Sequence, residues 1–364
     1  MKVLHLTEAK TWYGGEIQLA DLLHNLKKLD VESAVFCYSH TPIEQYCNEN
    51  GFKVYAQKKT NILNLAKSLK KLISENNIEV LHIHTSKFLT LFVIADFLYN
   101  LKVKSIYSKK SKSKGNTPLS KVKFNYKNIQ YVIAVSQAIA ESLKKVIKPQ
   151  NQHKIKVIYD GIPMEIPSAE FNLKEKFNIK EKFLIGSIAN HTEPKDLPTM
   201  VRTMDYLINH LKHKNVHLVQ IGRETEHTPE LKKMVEKLNL AQNISFLGSI
   251  EQAKRYISQF DLFLMTSESE GLPLVIYESF LSQTPIVSTK AGGIPEVIEN
   301  GKNGFLAEIG DYQNLAKSIK TLLDSNTLSQ EFAQRSYQKV REEFSSEICA
   351  QKTLNLYQKS IQNG

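Results

Sequence analysis

Residues 267–306 read SESEGLPLVIYESFLSQTPIVSTKAGGIPEVIENGKNGFL, and the order of residue types in this stretch decides the fold. The apolar run just before it, residues 262–265, has the composition of a buried strand. Glu270 and Gly271 mark a strand-to-helix turn, and Pro273 suits a first helical turn, where its missing N–H costs nothing. The pattern predicts a helix from about Leu272, whose free amides and positive dipole end can hold an anion. Glu278 stands further along that helix, about 9 Å up the axis at ~1.5 Å per residue. A second strand is expected at 285–288. Ala291-Gly292-Gly293-Ile294-Pro295-Glu296 follows it, with paired glycines that let backbone approach a ligand closely. Gly301 and Gly304 shape a further turn over residues 300–305.

Outward from this stretch, short β-branched runs alternate with amphipathic helical stretches nearly everywhere, the pattern of a doubly wound α/β sheet. Upstream strands are expected at 183–188, 216–221 and 244–246. A break at residues 161–169, GIPMEIPSA, reads as a linker. Before it come strands at 3–7, 33–37, 53–55, 79–84, 104–108, 131–135 and 156–159, with helices such as 15–29, 62–76 and 137–146. After about residue 311 the sequence is wholly helical. The chain therefore divides into residues 1–165, 166–345 and 346–364. The first two are Rossmann-like α/β domains facing a cleft, and the third is a helical tail. Ligands of such domains lie beyond the carboxyl ends of the strands, so residues just after each strand are the ones to weigh.

Composition narrows the class. The chain has 364 residues, of which 41% are hydrophobic and 23% charged, ordinary values for a globular protein. The longest apolar stretch, residues 88–98, reads as a buried helix, and no run nears the roughly 20 residues that span a bilayer. The three cysteines, Cys37, Cys47 and Cys349, are too scattered for a disulfide framework or a zinc site and are expected as buried thiols. The first residues read as a strand and not as a signal peptide, so a cytoplasmic protein is expected. Residues 1–168 hold 25 lysines, no arginine and 13 acidic residues, a net of +12, whereas the remainder nets −1. Lys102, Lys104, Lys109, Lys110, Lys112, Lys114, Lys121, Lys123 and Lys127 occur with no acidic residue among them. This run implies either an anionic surface as partner or a solvated, lysine-rich loop. Nucleic acid fits poorly, since aromatics do not interleave the run and arginine is absent from the first half.

The segment over residues 263–306 resembles the donor signature of retaining glycosyltransferase family 4, whose members have the GT-B fold. Its marks are the Glu-x7-Glu spacing, here Glu270 and Glu278, and the Gly-Gly-x-x-Glu loop, here Gly292 to Glu296. The resemblance extends over most of the chain. It implies that Glu270 contacts the sugar of a nucleotide-sugar donor, that Glu278 contacts its ribose, and that Gly271 and Leu272 line the same site. In FLIGSIANHTEPKDLPTMVR, residues 183–202, Lys195 is similar to the family's diphosphate-binding lysine. Asn190 stands where the family often has arginine. Trp12-Tyr13-Gly14-Gly15-Glu16 resembles the N-terminal glycine loop, placing Gly15 at the donor phosphates. By the same resemblance Lys195 and Glu270 are the catalytic pair, and the tail returns to the N-terminal domain.

The acceptor side is thinner. His82 and His84 share one strand face, and two histidines without a third ligand are a poor metal site. His84, at the ligand edge, is an acceptor-site candidate. Tyr107-Ser108-Lys109-Lys110 occupies a place where many relatives carry a histidine, which puts Lys109 and Lys110 beside the acceptor and leaves any acid/base role open. No Asp-x-Asp occurs in the chain, so no metal and no cofactor are expected. The resemblance implies transfer with retention to a glycan or lipid-linked acceptor in cell-surface polysaccharide or lipopolysaccharide assembly. The lysine run would hold the protein peripherally on the anionic inner face of a membrane. A sugar-nucleotide 2-epimerase on the same architecture and a lysine-rich nucleic-acid-binding protein are the rival readings.

Overall fold

A computed structural model describes residues 1–12, 14–111 and 117–362. Tyr13, Lys112 and Lys114 lie outside the described residues. The chain forms two compact units, Met1–Ile162 with Ser346–Gly364, and Pro163–Ser345.

In the first unit β1 (Lys2–Leu6), β2 (Glu32–Tyr38), β3 (Lys53–Gln57), β4 (Val80–Ile83), β5 (Lys104–Lys109), β6 (Ile129–Ala134) and β7 (Ile155–Val157) form one parallel sheet, ordered β3-β2-β1-β4-β5-β6-β7. The crossovers are α1 (Gly14–Lys28), α2 (Pro42–Glu49), α3 (Ile62–Asn76), α4 (Ser86–Tyr99), α5 (Pro118–Phe124) and α6 (Gln137–Lys144). Local chemistry sets their ends. Asn61, Thr85 and Ser136 accept hydrogen bonds from the exposed first-turn amides of α3, α4 and α6, and Asn77 and Asn100 close α3 and α4 in the left-handed region. Both sheet faces are covered, which explains the continuous apolar strands. One face packs Leu69, Phe88, Phe92 and Ile139 against Leu4, Leu81 and Val132. On the other, Val3, Val80 and Ile106 meet Leu26 of α1 and Leu354 and Tyr357 of the final helix.

The second unit repeats the plan. β8 (Phe183–Ile188), β9 (Val216–Ile221), β10 (Ile244–Phe246), β11 (Leu262–Met265), β12 (Ile286–Thr289) and β13 (Phe305–Ala307) make a parallel sheet ordered β10-β9-β8-β11-β12-β13. Around it lie α7 (Leu173–Lys176), α8 (Leu197–Asp205), α9 (Thr228–Lys237), α10 (Leu274–Leu281), α11 (Ile294–Val297), α12 (Tyr312–Asp324) and α13 (Asn326–Glu343). α14 (Ser346–Gln362) is the helix that packs on the first unit's sheet.

Several expectations need correction. The turn read over residues 300–305 leads directly into β13, whose three residues are too short for a periodic signal. α10 begins at Leu274, with Pro273 as its N-cap, because an extended proline (ψ 133°) cannot be the second residue of a helix. Residues 88–98 do fall in a helix, but its end is not buried: Phe97 is 80% exposed. Cys37 and Cys47 are buried, and burial pushes their thiols up to about 11 and about 12; Cys349 keeps some exposed surface, yet burial pushes its thiol up to about 12 as well. Among the described residues no helix is long and apolar enough to cross a membrane.

Candidate active site

The sheet of the second unit reverses its winding between β8 and β11, and ligands of parallel α/β sheets bind in the crevice at such a point. The loops leaving those two strands carry Lys195 and Glu270. Lys195 ends a 3-10 turn, Glu193–Lys195, and its ammonium donates to Glu270 Oε1 at 2.6 Å. Their side chains are 27% and 11% exposed. The loops themselves are tied together. Glu268 N–H donates to Pro194 O at 2.9 Å, and the Thr266 hydroxyl reaches the carbonyls of Lys195 at 3.2 Å and Asp196 at 2.9 Å. Asp196 then starts α8 by accepting the Thr199 N–H.

The paired glycines form the other wall. Gly292 has φ +57°, and a Cβ there would sit 2.0 Å from the Glu270 carbonyl oxygen. Gly293 N–H donates to Gly271 O at 2.9 Å. The requirement for glycine at Gly292 is thus explained by the Glu270 loop pressing on it. Gly292→Ala combines left-handed strain with a backbone clash and should cost about 2 kcal/mol or more, read as a lowered urea midpoint of the second unit. An unchanged midpoint would mean that the Glu270 loop moves away freely.

Glu278 sits on α10, four residues past its start and so about 6 Å along the axis. Both Glu278 and Lys195 are half-buried, not open to solvent as their loop and helix positions suggest. Leu272 and Gly271 are buried before the α10 start, and no side chain caps its first amides. Asn190 uses its side-chain oxygen to accept the Arg223 N–H at 3.0 Å, while His191 N–H donates to Arg223 O. Gly222 permits this approach, since a Cβ there would lie 1.8 Å from Ala189 O. Asn190 therefore staples the loops after β8 and β9. The staple ties the backbone of the exposed Arg223 to Asn190, the position where the family resemblance expects arginine. The sequence reading passed over Arg223, although it follows β9 directly.

The first unit has its own winding reversal, between β1 and β4. Gly15 lies in the first turn of α1, after β1, and a Cβ on it would sit 4.0 Å from Lys110 Cδ. Lys110 pairs with Asp160 at 3.0 Å, both half-buried. Lys109 is a correction: it points into the protein, 8% exposed, and burial with the nearby Lys123 charge lowers its ammonium. β5 ends at Lys109, which turns inward, while Lys110 follows in the loop and is half-buried.

His84 follows β4, half-buried, and has a third histidine for company. β1 and β4 pair in register with His5 opposite His82, a fact of pairing that one strand's sequence cannot carry. His5 Nδ1 and His84 Nε2 are 3.0 Å apart. His82 joins Tyr357 OH at 2.5 Å and Ser108 Oγ at 2.7 Å. Burial holds all three rings neutral, His5 down to about 3, with the neighbouring rings and Lys110 adding to the effect at His82 and His84. Their nitrogens lie within 4.8 Å of one another, so the ligand count once lacking is present. The two partnerless nitrogens, His5 Nε2 and His84 Nδ1, are the far sides of rings that face each other. The remaining ring nitrogens are already engaged, His5 Nδ1 with His84 Nε2 and both His82 nitrogens with Tyr357 and Ser108.

Two family models cover most of the chain: glycosyl transferases group 1 over residues 169–339, and Glycosyltransferase Family 4 over residues 12–166. The N-acetyl-alpha-D-glucosaminyl L-malate synthase of Bacillus anthracis is 25% identical over 304 residues, 81% of this chain and 78% of that protein. The capsular polysaccharide biosynthesis glycosyltransferase CapM of Staphylococcus aureus is 24% identical over 233 residues, 60% of each chain. The crystal structure of Anabaena Alr3699/HepE in complex with UDP matches with a TM-score of 0.86 at 20% identity, over 99% of this chain and 100% of that one. This likeness is one of fold, GT-B, two parallel-sheet α/β domains.

Proposed function

This chain belongs to glycosyltransferase family 4, and from that premise we propose that it transfers a sugar from a nucleotide-sugar donor, with retention of configuration and without a metal ion. The observation that carries the reading is the meeting of Lys195 and Glu270 at the β8–β11 reversal, beside the uncapped start of α10. Lys195 and the α10 amides neutralise the donor diphosphate, Glu278 accepts hydrogen bonds from the ribose hydroxyls, and Glu270 holds the sugar. The sugar's C1–O bond to phosphate breaks while a C1–O bond to the acceptor forms on the same face. The acceptor's proton passes to the departing phosphate oxygen. A fixed cation in a half-buried site supports that departure without a divalent ion.

The acceptor in this reading is a lipid-linked glycan or growing surface polysaccharide, in keeping with the capsular relative. The protein works peripherally on an anionic inner membrane face. Its lysine run is not one solvated face, however. Lys109 and Lys123 are buried, Lys104 and Lys110 half-buried, and Lys102, Lys121 and Lys127 exposed, while Lys112 and Lys114 lie outside the described residues.

UDP, the ligand of the Anabaena protein, is the first nucleotide to test, followed by a panel of nucleotide sugars assayed in EDTA. A binding nucleotide should raise the melting temperature, and Glu278→Ala should weaken its affinity about tenfold or more, the worth of one or two charge-assisted hydrogen bonds. Turnover that stops in EDTA and returns with manganese would sink the metal-free step. Unchanged affinity in Glu278→Ala would sink the ribose assignment.

A further inference from the structure

The end of α4 faces solvent with apolar side chains. Phe97 is the most exposed large apolar residue among those described, at 80%, and Leu98 beside it is 48% exposed. Val122 on α5 is 61% exposed. Phe97 and Val122 line one groove of about 810 Å³ together with Lys121, Lys127 and Lys148, and all three lysines are exposed. The groove's one carboxylate is spent inward: Asp96, 4% exposed, accepts from Leu101 N–H, Tyr126 OH and Asn128 Nδ2. Residues 97–140 contain no acidic residue at all. Isolated exposed apolar residues are ordinary, but an exposed apolar pair in a groove whose only exposed charges are lysines is not.

We propose that this surface is a membrane anchor, with Phe97 and Val122 entering the acyl boundary of an anionic leaflet while Lys121, Lys127 and Lys148 stay among its headgroups. It deepens the peripheral reading given above and rests on it, turning electrostatic adsorption into shallow insertion. Lysine suits the task because its flexible stem places an ammonium among mobile headgroups without fixed geometry. Charge complementarity selects an anionic surface, since the groove presents three exposed lysines and its one carboxylate is buried. Salt separates the two contributions, since the headgroup attraction fades within about 8 Å at physiological ionic strength, whereas apolar burial does not.

The test is sedimentation of the full chain with vesicles of phosphatidylcholine, alone or with phosphatidylglycerol, at low and high salt. Wild type should pellet with the anionic vesicles at low salt and keep a fraction bound at high salt. Phe97→Ser with Val122→Ser should lose that salt-resistant fraction and bind about tenfold more weakly at low salt. Lys121→Gln, Lys127→Gln and Lys148→Gln should each cost about fivefold at low salt. Both sets alter exposed positions, so melting and UDP affinity should match wild type. Serine variants that pellet like wild type at both salts would remove the insertion and leave adsorption standing. Wild type that pellets with neither vesicle would remove the peripheral reading as well, while the donor assay still reports separately on the transferase.

Discussion

Lys195→Ala is expected to lower turnover about a hundred- to a thousandfold while the fold survives, the scale of losing one preorganised charge at a leaving group. The ligand-free site makes a sharper pair of outcomes than that number alone. Lys195 and Glu270 are 2.6 Å apart, so each substitution strips the other of its partner. Lys195→Ala leaves the 11% exposed Glu270 carboxylate facing the donor diphosphate, and like-charge repulsion should weaken nucleotide binding together with turnover. Glu270→Gln leaves the ammonium unpaired, so the nucleoside diphosphate should bind more tightly even as turnover of the nucleotide sugar falls. The double variant should therefore lose less than the two single losses combined, as contacting residues do. Calorimetry with UDP and initial rates on the same three proteins decide it. If Glu270→Gln weakens UDP and Lys195→Ala keeps turnover within about threefold of wild type, the pair is structural and the charge assignment fails.

The same pair marks how far sequence reaches. Glu270, Gly271, Glu278 and the Gly292–Gly293 step were legible because turn chemistry is local: a glycine with φ +57° and a proline before a helix announce themselves within a few residues. That Lys195 would bond Glu270 was not, since 75 residues separate them and only the adjacency of β8 and β11 brings their loops together. The doubly wound order follows from the alternation of strands and helices, yet β13, three residues long, carries no period to read. α4 shows the opposite limit. Its apolar run identifies a helix correctly, but burial depends on what covers each turn, and nothing in the described structure covers Phe97. In the first unit the histidine cluster required strand register, His5 opposite His82, and a helix arriving from the far end of the chain with Tyr357.

That cluster should make the first unit sensitive to acid. In the unfolded chain His5, His82 and His84 take up protons near pH 6.5, the ordinary histidine value. In the folded unit burial holds His5 near 3 and the other two well below their usual range. Between those limits the unfolded state binds the protons that the folded state refuses, so stability rises with pH and is lost as pH falls below about 6.5. Each such histidine contributes a slope of up to about 1.4 kcal/mol per pH unit, and three together about 4. His24, lowered by burial and by Lys27 and Lys28, adds in the same direction. Against a total stability of roughly 5–15 kcal/mol, the first unit is expected to unfold between about pH 3 and pH 5. Trp12, the chain's single tryptophan, lies against Tyr46 with ring centres 5.0 Å apart in this unit and reports on it alone by fluorescence. Urea titrations from pH 7 to pH 5 should show a steep fall in the Trp12 midpoint. His5→Gln should remove about one proton from that slope, because glutamine can still bond His84 without titrating. A Trp12 midpoint that stays level from pH 7 to pH 5 would mean that the three rings are already hydrated and charged in the folded unit, against the burial seen for His5 and His82.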